Sequence, residues 1–229
     1  MYRPTMMIAA SVMVAIAPAA AMADTPRELL TAAAFQAPSK PQALALVGQA
    51  ITASDRILAR RPADHEATLQ RGVAIGYRAK LTRSRSDARA SLAIFKRLAV
   101  RNPRDAEAQM VIAGWHLDAI DQLGGFMART VLGAKTQAGE AALTRAVTLG
   151  GDRAFYPGLA AMMLIRNDHS DVAQARRWAE AAIIAQTPTP LDTRMKRAAV
   201  TILPALRAND GKKAATLART LLPFGKLTD

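Results

Sequence analysis

Three histidines are the side chains with which this chain could most readily do acid–base or metal chemistry. They are His65, His116 and His169, and no two of them have the i, i+4 spacing that would place both on one metal ion. The chain contains no cysteine that could complete a zinc site. His116 follows Trp115 in an apolar stretch, so we predict a packed or hydrogen-bonded core histidine there, with a role as a functional base as the alternative.

Asp118 and Asp121 stand about one helical turn apart and could together approach a hard cation. Cation sites usually recruit about six or more oxygen ligands, and no loop of this sequence supplies them. We therefore predict that both aspartates face solvent or cap a neighbouring helix. We also predict that the protein holds no metal and no cofactor.

No motif of a known reaction class occurs in the sequence. It contains neither the Gly-x-Ser-x-Gly elbow of serine hydrolases nor a glycine-rich phosphate loop ending in Gly-Lys-Ser/Thr. The glutamates are scattered, which leaves a carboxylate pair for glycoside cleavage open but unsupported. We predict that the protein is not an enzyme and has no catalytic residue. The alternative is a small-ligand or active-site pocket near Trp115, His116 and Asp118, beside the insertion at 124–133.

Positive charge is the strongest compositional feature of the chain. The formal net charge is +13, and residues 56–104 hold thirteen Lys or Arg against three acidic residues. This basic repeat is either a solvated face or an anion-binding surface at the tip of a helical hairpin. The candidate residues for such a surface are Arg71, Arg78, Lys80, Arg83, Arg85 and Arg89. Its aromatic side chains, Tyr77 and Phe95, fall on the stripe that we predict to be buried, so we expect no base stacking and no nucleic-acid partner.

Residues 1–23 have the features of a cleaved secretory signal peptide. Arg3 precedes an apolar run that is too short to span a bilayer, and Ala21-Met22-Ala23 is an A-x-A cleavage signal. We therefore expect cleavage after Ala23 and export to the bacterial periplasm. Because there is no cysteine, we expect neither a lipoprotein nor disulfide bonds. The mature chain, 24–229, has a length typical of one domain.

Two stretches of the sequence, 56–67 and 97–108, are near-twins separated by 41 residues. Both end an amphipathic run at a proline and continue with an aspartate and a glutamate. Aspartates recur at comparable intervals, and each has the chemistry of a helix start: Asp64, Asp105, Asp152 and Asp192. Glu66 and Glu107 fall in the first turn, where they suit the helix dipole. One turn signal in about 40 residues predicts stacked helical hairpins.

The helices that follow these starts differ in their apolar patterns. Gly72 and Gly76 lie beside an apolar stripe, where they would let a neighbouring helix approach closely. The helix after Asp105 is apolar around nearly its whole circumference, so we predict that it is central and buried. We predict that residues 126–132 form an extra turn or short helix, which lengthens the interval from Asp105 to Asp152 to 47 residues.

These repeats resemble the tetratricopeptide-repeat (TPR) superfamily over residues 41–222. The matching features are small residues at helix crossings, an aromatic residue on a second helix and prolines near repeat ends: Gly72, Gly114, Ala175, Ala182, Phe95, Pro62, Pro103 and Pro188. The resemblance implies an all-α fold, a right-handed array of antiparallel helical hairpins (TPR-like α-solenoid), and a function in binding other proteins.

The sequence as a whole predicts an exported helical-repeat scaffold that binds another envelope protein. The leading helices would line its groove, and the basic repeat at 56–104 would steer an acidic partner. The alternatives are a binder of an anionic envelope polymer or membrane surface, and a small-ligand binder or enzyme that uses the pocket near Trp115.

Overall fold

The computed structural model describes residues 24–227, which form eleven α-helices. The prediction of an all-α protein is confirmed. The expected signal peptide, 1–23, lies outside the described residues. The helices are α1 (Pro26–Phe35), α2 (Lys40–Arg60), α3 (His65–Thr82), α4 (Arg85–Arg101), α5 (Ala106–Leu123), α6 (Gly125–Leu132), α7 (Thr136–Leu149), α8 (Phe155–Asn167), α9 (Val172–Ile184), α10 (Pro190–Arg207) and α11 (Gly211–Leu221). Within 24–227, no helix has both the length and the apolar character that crossing a membrane requires.

The two near-twin helix starts are built as predicted. The Asp64 carboxylate accepts a hydrogen bond from the backbone N–H of Ala67 at 2.8 Å. The Asp105 carboxylate accepts from Glu107 at 2.9 Å and from Ala108 at 3.1 Å. Both aspartates therefore satisfy N–H groups that a helix end leaves without an intrahelical partner.

The other two predicted helix starts, at Asp152 and Asp192, are wrong in detail. Asp152 does not cap α8, because its neighbour Arg153 pairs with Gln186 in an isolated β-bridge and the chain stays extended until Ala154. Asp192 is the third residue of α10, and the N-cap is Thr189. The Asp192 carboxylate also accepts the N–H of Phe155, the first residue of α8, at 3.0 Å. One buried side chain thus caps a helix far away in the sequence as well as its own.

Most helices pack against the next helix along the chain: α1 with α2, α2 with α3, α3 with α4, α8 with α9, α9 with α10 and α10 with α11. Helix α5 packs most extensively on α7, beyond the short α6, and α8 also packs on α10 and α11. Helix α5 also contacts α3, α4, α6 and α8. None of its residues from Ala106 to Asp121 is exposed. The prediction that this helix is central and buried is confirmed. The predicted short helix at 126–132 is α6, which packs against α5 and the start of α4.

Helix α11 and the segment after it, 222–227, cover one side of α3, α5 and α8. Helix α11 packs on α8, and the backbone N–H of Phe224 donates to the carbonyl of Ala34 in α1 at 2.8 Å. The Phe224 ring lies edge-on to Tyr77 of α3, with 4.8 Å between ring centroids. We call residues 222–227 the C-terminal segment. The C-terminal segment thus contacts α1 and α3, at the other end of the chain.

Gly72 sits where α3 crosses α4, as predicted. A Cβ atom at this position would lie 2.6 Å from Cε1 of Phe95 and 2.9 Å from Cγ2 of Ile94. We expect Gly72→Ala to lower the free energy of unfolding by about 1–3 kcal/mol, because the helices must separate or the side chains must leave their rotamers. Urea denaturation measures this, and Gly48→Ala on the open surface of α2 is the matched control. The control should be neutral or stabilising by up to about 1 kcal/mol; equal effects of the two substitutions would contradict a close crossing.

Candidate functional site

A cavity of about 680 Å³ lies between α3, α4, α5, α6, α8 and the C-terminal segment. Its walls are mostly apolar, and the large side chains that line it include Tyr77, Phe95, Met110, Trp115, Met127 and Met163. Helix α5 presents one face to it, through residues one turn apart: Val111, Gly114, Trp115, Asp118, Ala119 and Gln122. The indole Nε1 of Trp115 donates to the carbonyl of Ala88 at 2.7 Å, which fixes the ring against α4.

Four cations line the same cavity: Lys40, Lys80, Arg83 and Arg85. Arg83 and Arg85 come from the turn between α3 and α4, where Arg83 adopts a left-handed backbone (φ 58°) as the C-cap of α3 and Ser84 caps α4. This tight turn places Arg83 and Arg85 together at one edge, which we call the cationic mouth. Both side chains are exposed, and within residues 24–227 neither has a carboxylate partner. Three residues of the predicted basic surface, Lys80, Arg83 and Arg85, thus line the same cavity as Trp115 and Asp118.

The other predicted basic residues bind groups of the protein itself. Arg71 pairs with Asp55 at 2.6 Å. Arg78 makes two bonds of 2.8 Å to Asp87, which raise the pKa of Arg78 and lower the pKa of Asp87. Arg89 donates to the carbonyl of Val131 at the end of α6, at 2.9 Å.

Asp118 and Asp121 neither face open solvent nor cap a helix, so that prediction is wrong. Asp118 binds Lys80 of α3 at 3.1 Å and Arg166 of α8 at 2.6 Å. Asp121 binds Arg219 of α11. Two carboxylates of α5 therefore hold three surrounding helices by charge-assisted bonds, and one of the two, Asp118, also lines the cavity.

Arg166 contributes to this ion-pair cluster, although no pattern in the sequence points to it. It lies in the last turn of α8, and its side chain is only 3% exposed. Its Nε and Nη2 atoms are buried and have no hydrogen-bond partner among the described residues. The sequence carries no signal for this placement, because a helix-terminal arginine next to Asn-Asp is usually solvated.

His116 does not line the cavity, although its neighbours Trp115 and Asp118 do. Its Nδ1 accepts a hydrogen bond from the backbone N–H of Lys135 at 3.2 Å, and the residue is buried. Burial, and then the charges of Lys96 and Lys135, lower the pKa of His116, which favours the neutral imidazole that this bond requires. This geometry fits the prediction of a packed or hydrogen-bonded core histidine.

The carboxylate of Asp118 should make the free energy of unfolding depend on pH. Burial alone would raise its pKa, but Lys80 and Arg166 outweigh burial and lower the pKa to about 2. Because the pKa of Asp118 is lower in the folded state than in the unfolded state, its ionised carboxylate stabilises the fold at pH values above the unfolded pKa, near 3.8. This stabilisation disappears as the pH falls toward 2. We expect Asp118→Asn to lower the free energy of unfolding by about 2 kcal/mol at pH 7 and by progressively less below about pH 4.

Urea denaturation at several pH values between about 7 and 3 tests this expectation. Asp55→Asn, which removes the exposed pair with Arg71, is the matched control and should cost at most about 1 kcal/mol. A constant difference between the wild type and Asp118→Asn at all pH values would contradict the lowered pKa.

Comparisons with protein-family models, curated proteins and solved structures give no match to this chain. In the part of the chain that the structure describes, no three His, Asp or Glu side chains converge in a way that could hold a metal ion.

Proposed function

We propose that this protein is a non-catalytic binding protein whose ligand is an anionic amphiphile, a molecule with a long apolar part and one negatively charged group. The observation that carries the proposal is that one and the same cavity has mostly apolar walls and, at its mouth, two arginines without carboxylate partners. The apolar part would lie against Trp115 and the methionines. The charged group would stay near Arg83 and Arg85.

The size of the cavity supports a ligand of this kind. Small-molecule pockets typically occupy about 300–1,000 Å³ and have predominantly apolar walls. This cavity falls within that range, and its walls are mostly apolar, with charged side chains such as Lys80 and Asp118 among them. Each methylene moved from water into such walls contributes about 0.8 kcal/mol before the costs of ordering the ligand. Methionine side chains adapt to irregular apolar shapes, which suits a chain rather than a rigid ring. Three of them line this cavity.

The architecture proposed for this function is a right-handed array of antiparallel helical hairpins, similar to the TPR superfamily. The packing of most helices against the next helix along the chain and the close crossing at Gly72 support it. We further propose that the chain is exported to the periplasm, on the basis of the signal-peptide features of residues 1–23. A soluble carrier or sensor of amphiphiles would have a use in that compartment.

The scaffold that binds an acidic envelope protein remains the second candidate function. The exposed Arg83 and Arg85 support it, because rim charges steer an oppositely charged partner. Two observations make the first candidate stronger. Arg71, Arg78 and Lys80 already pair with carboxylates of this chain. The C-terminal segment also covers part of the face along which an extended partner would lie.

Calorimetric titration with dodecanoate and with dodecyltrimethylammonium, both below their micelle concentrations, tests the proposed function. We expect one dodecanoate to bind per protein, at least about tenfold more tightly than the cation of equal chain length. The double variant Arg83→Gln/Arg85→Gln should weaken dodecanoate binding by about tenfold, or about 1.4 kcal/mol. The matched control, Arg97→Gln/Arg101→Gln, changes two exposed arginines of α4 away from the cavity and should have no effect.

Equal binding of both amphiphiles, or no binding of either, would contradict the proposal. If dodecanoate does not bind but an acidic envelope protein is retained at physiological salt, and Arg83→Gln/Arg85→Gln weakens that retention, the second candidate is favoured. Retention of an anionic polymer that disappears steeply with salt would instead indicate purely electrostatic binding.

A further inference from the structure

Exposed apolar side chains concentrate at the junction of α5 and α6. Among the described residues, six large hydrophobic side chains are exposed: Val100, Leu123, Phe126, Met127, Ile184 and Val200. Three of the six fall within the five residues 123–127, and Phe126 is 79% exposed. We call Leu123, Phe126 and Met127 the α6 ridge. The other three are isolated on different helices, which is ordinary for a protein surface.

The backbone sets this ridge apart from the body of the protein. Gly124 and Gly133 flank α6 with φ angles of 75° and 74°, which favour glycine. Within α6 only Ala128 is buried. The helix therefore stands against α5 and α4 through a narrow contact, and its outer side carries Phe126, Arg129 and Thr130.

The surroundings of the ridge are positively charged. Arg129 is exposed on α6 itself, Arg89 bonds to the carbonyl of Val131, and the cationic mouth lies on the same cavity as Leu123 and Met127. The sequence contains no acidic residue between Asp121 and Glu140. A second copy of this chain would bring the same cations together at such a contact, so the charge favours an anionic partner over self-association.

We propose that the α6 ridge is a docking surface for an anionic lipid bilayer. Helices that lie in a membrane interface combine apolar side chains with Arg or Lys, and their binding strengthens with anionic lipid. Phe126 would enter the boundary between headgroups and acyl chains, while Arg129, Arg83 and Arg85 meet lipid phosphates. A bilayer is favoured over an acidic protein because Leu123 and Met127 also line the cavity, so a docked molecule would present its cavity to the membrane.

This inference goes beyond the proposed function and can fail independently of it, because vesicle binding is measured without any soluble amphiphile. The test is co-sedimentation of the purified protein with two kinds of vesicles. The N-terminus of the protein is first determined by mass spectrometry. One kind contains phosphatidylcholine alone, and the other also contains phosphatidylglycerol. We expect binding to the vesicles with phosphatidylglycerol and little binding to phosphatidylcholine alone.

Phe126→Ser should lower the partition coefficient on the anionic vesicles by about tenfold, because one large apolar side chain no longer enters the bilayer. Val100→Ser and Ile184→Ser are the matched controls, since these side chains are 80% and 83% exposed on other helices. They should leave partitioning unchanged. All variants have the same N-terminus, so differences between their partition coefficients cannot arise from it.

A second measurement uses tryptophan fluorescence to report on the surroundings of position 126 in the α6 ridge. Phe126→Trp in a chain with Trp115→Phe and Trp178→Phe carries one tryptophan, whose emission should shift to the blue when anionic vesicles are added. Binding equally strong on both kinds of vesicles would overturn the proposal, as would equal losses in the control variants. It would also be overturned by an unshifted emission, or by retention of an acidic protein with no vesicle binding.

Discussion

Asp192→Ala is expected to lower the free energy of unfolding by about 3–5 kcal/mol, the largest loss that we predict for a single side chain. Asp192 is fully buried. Its carboxylate accepts bonds from Arg153 at 3.0 and 3.3 Å, from the backbone of Phe155 at 3.0 Å and from the backbone of Thr189 at 3.2 Å. Without it, a guanidinium and two backbone N–H groups lose their acceptor at the point where α8 and α10 meet.

Urea denaturation monitored by circular dichroism measures this loss, and Asp210→Ala is the matched control. Asp210 is an exposed aspartate that caps only its own helix, α11, through Lys213 at 2.9 Å. Its removal should cost about 1 kcal/mol. If Asp192→Ala costs no more than Asp210→Ala, the carboxylate does not join the two helices as described.

Gly114→Leu is expected to abolish ligand binding with the fold intact, lowering the affinity for dodecanoate at least about a hundredfold. Gly114 lies on the face of α5 that lines the cavity. The nearest atom to a Cβ there would be Cε of Met163 at 3.6 Å, an ordinary contact, so the rest of the leucine would extend into the cavity. Because leucine favours a helix over glycine by up to about 1 kcal/mol, stability should not fall.

Titration of Gly114→Leu with dodecanoate tests this expectation, and thermal unfolding checks that the variant is folded. Gly48→Leu, at an open position of α2, is the matched control for the change in helix propensity. It should bind dodecanoate as the wild type does. Unchanged binding by a folded Gly114→Leu variant would mean that the ligand lies elsewhere on the protein.

Much of the fold could be predicted from the sequence, because the signals are local. The aspartates at 64 and 105 follow helix-breaking prolines, and the apolar circumference of α5 marks a buried helix. The position of α6 follows from the glycines on either side of it. These patterns depend on residues within one or two turns of each other, which a sequence displays directly.

Contacts between distant residues could not be predicted in the same way. The sequence indicates that Glu66 and Glu107 suit the helix dipole in the first turn, but in the structure both also bind Arg27 of α1. Arg27 bonds to Glu66 at 2.8 Å through two nitrogens and also reaches Glu107, eighty residues away. Periodicity shows which face of a helix is apolar, but it does not show which charged side chain of another helix will meet it.

The candidate site was predicted in its parts but not as a whole. The sequence suggests a pocket near Trp115, His116 and Asp118, but side chains one or two residues apart on a helix do not share a face, so His116 points away from the other two. The useful signal was the spacing of 111, 115, 118 and 122, all of which line the cavity. The basic residues were found from composition alone. Their division into paired ones, such as Arg78, and those without a carboxylate partner, such as Arg83, depends on the tertiary fold.

Quenching by 12-bromododecanoate tests most directly whether the cavity holds an amphiphile chain. The sequence has two tryptophans, Trp115 in the cavity wall and Trp178 in α9, outside the cavity. In a Trp178→Phe variant, the bromine should quench Trp115 fluorescence until one ligand is bound per protein. In a Trp115→Phe variant, the remaining Trp178 should keep its fluorescence over the same range. Equal quenching of the two tryptophans, or none of Trp115, would contradict a ligand in this cavity.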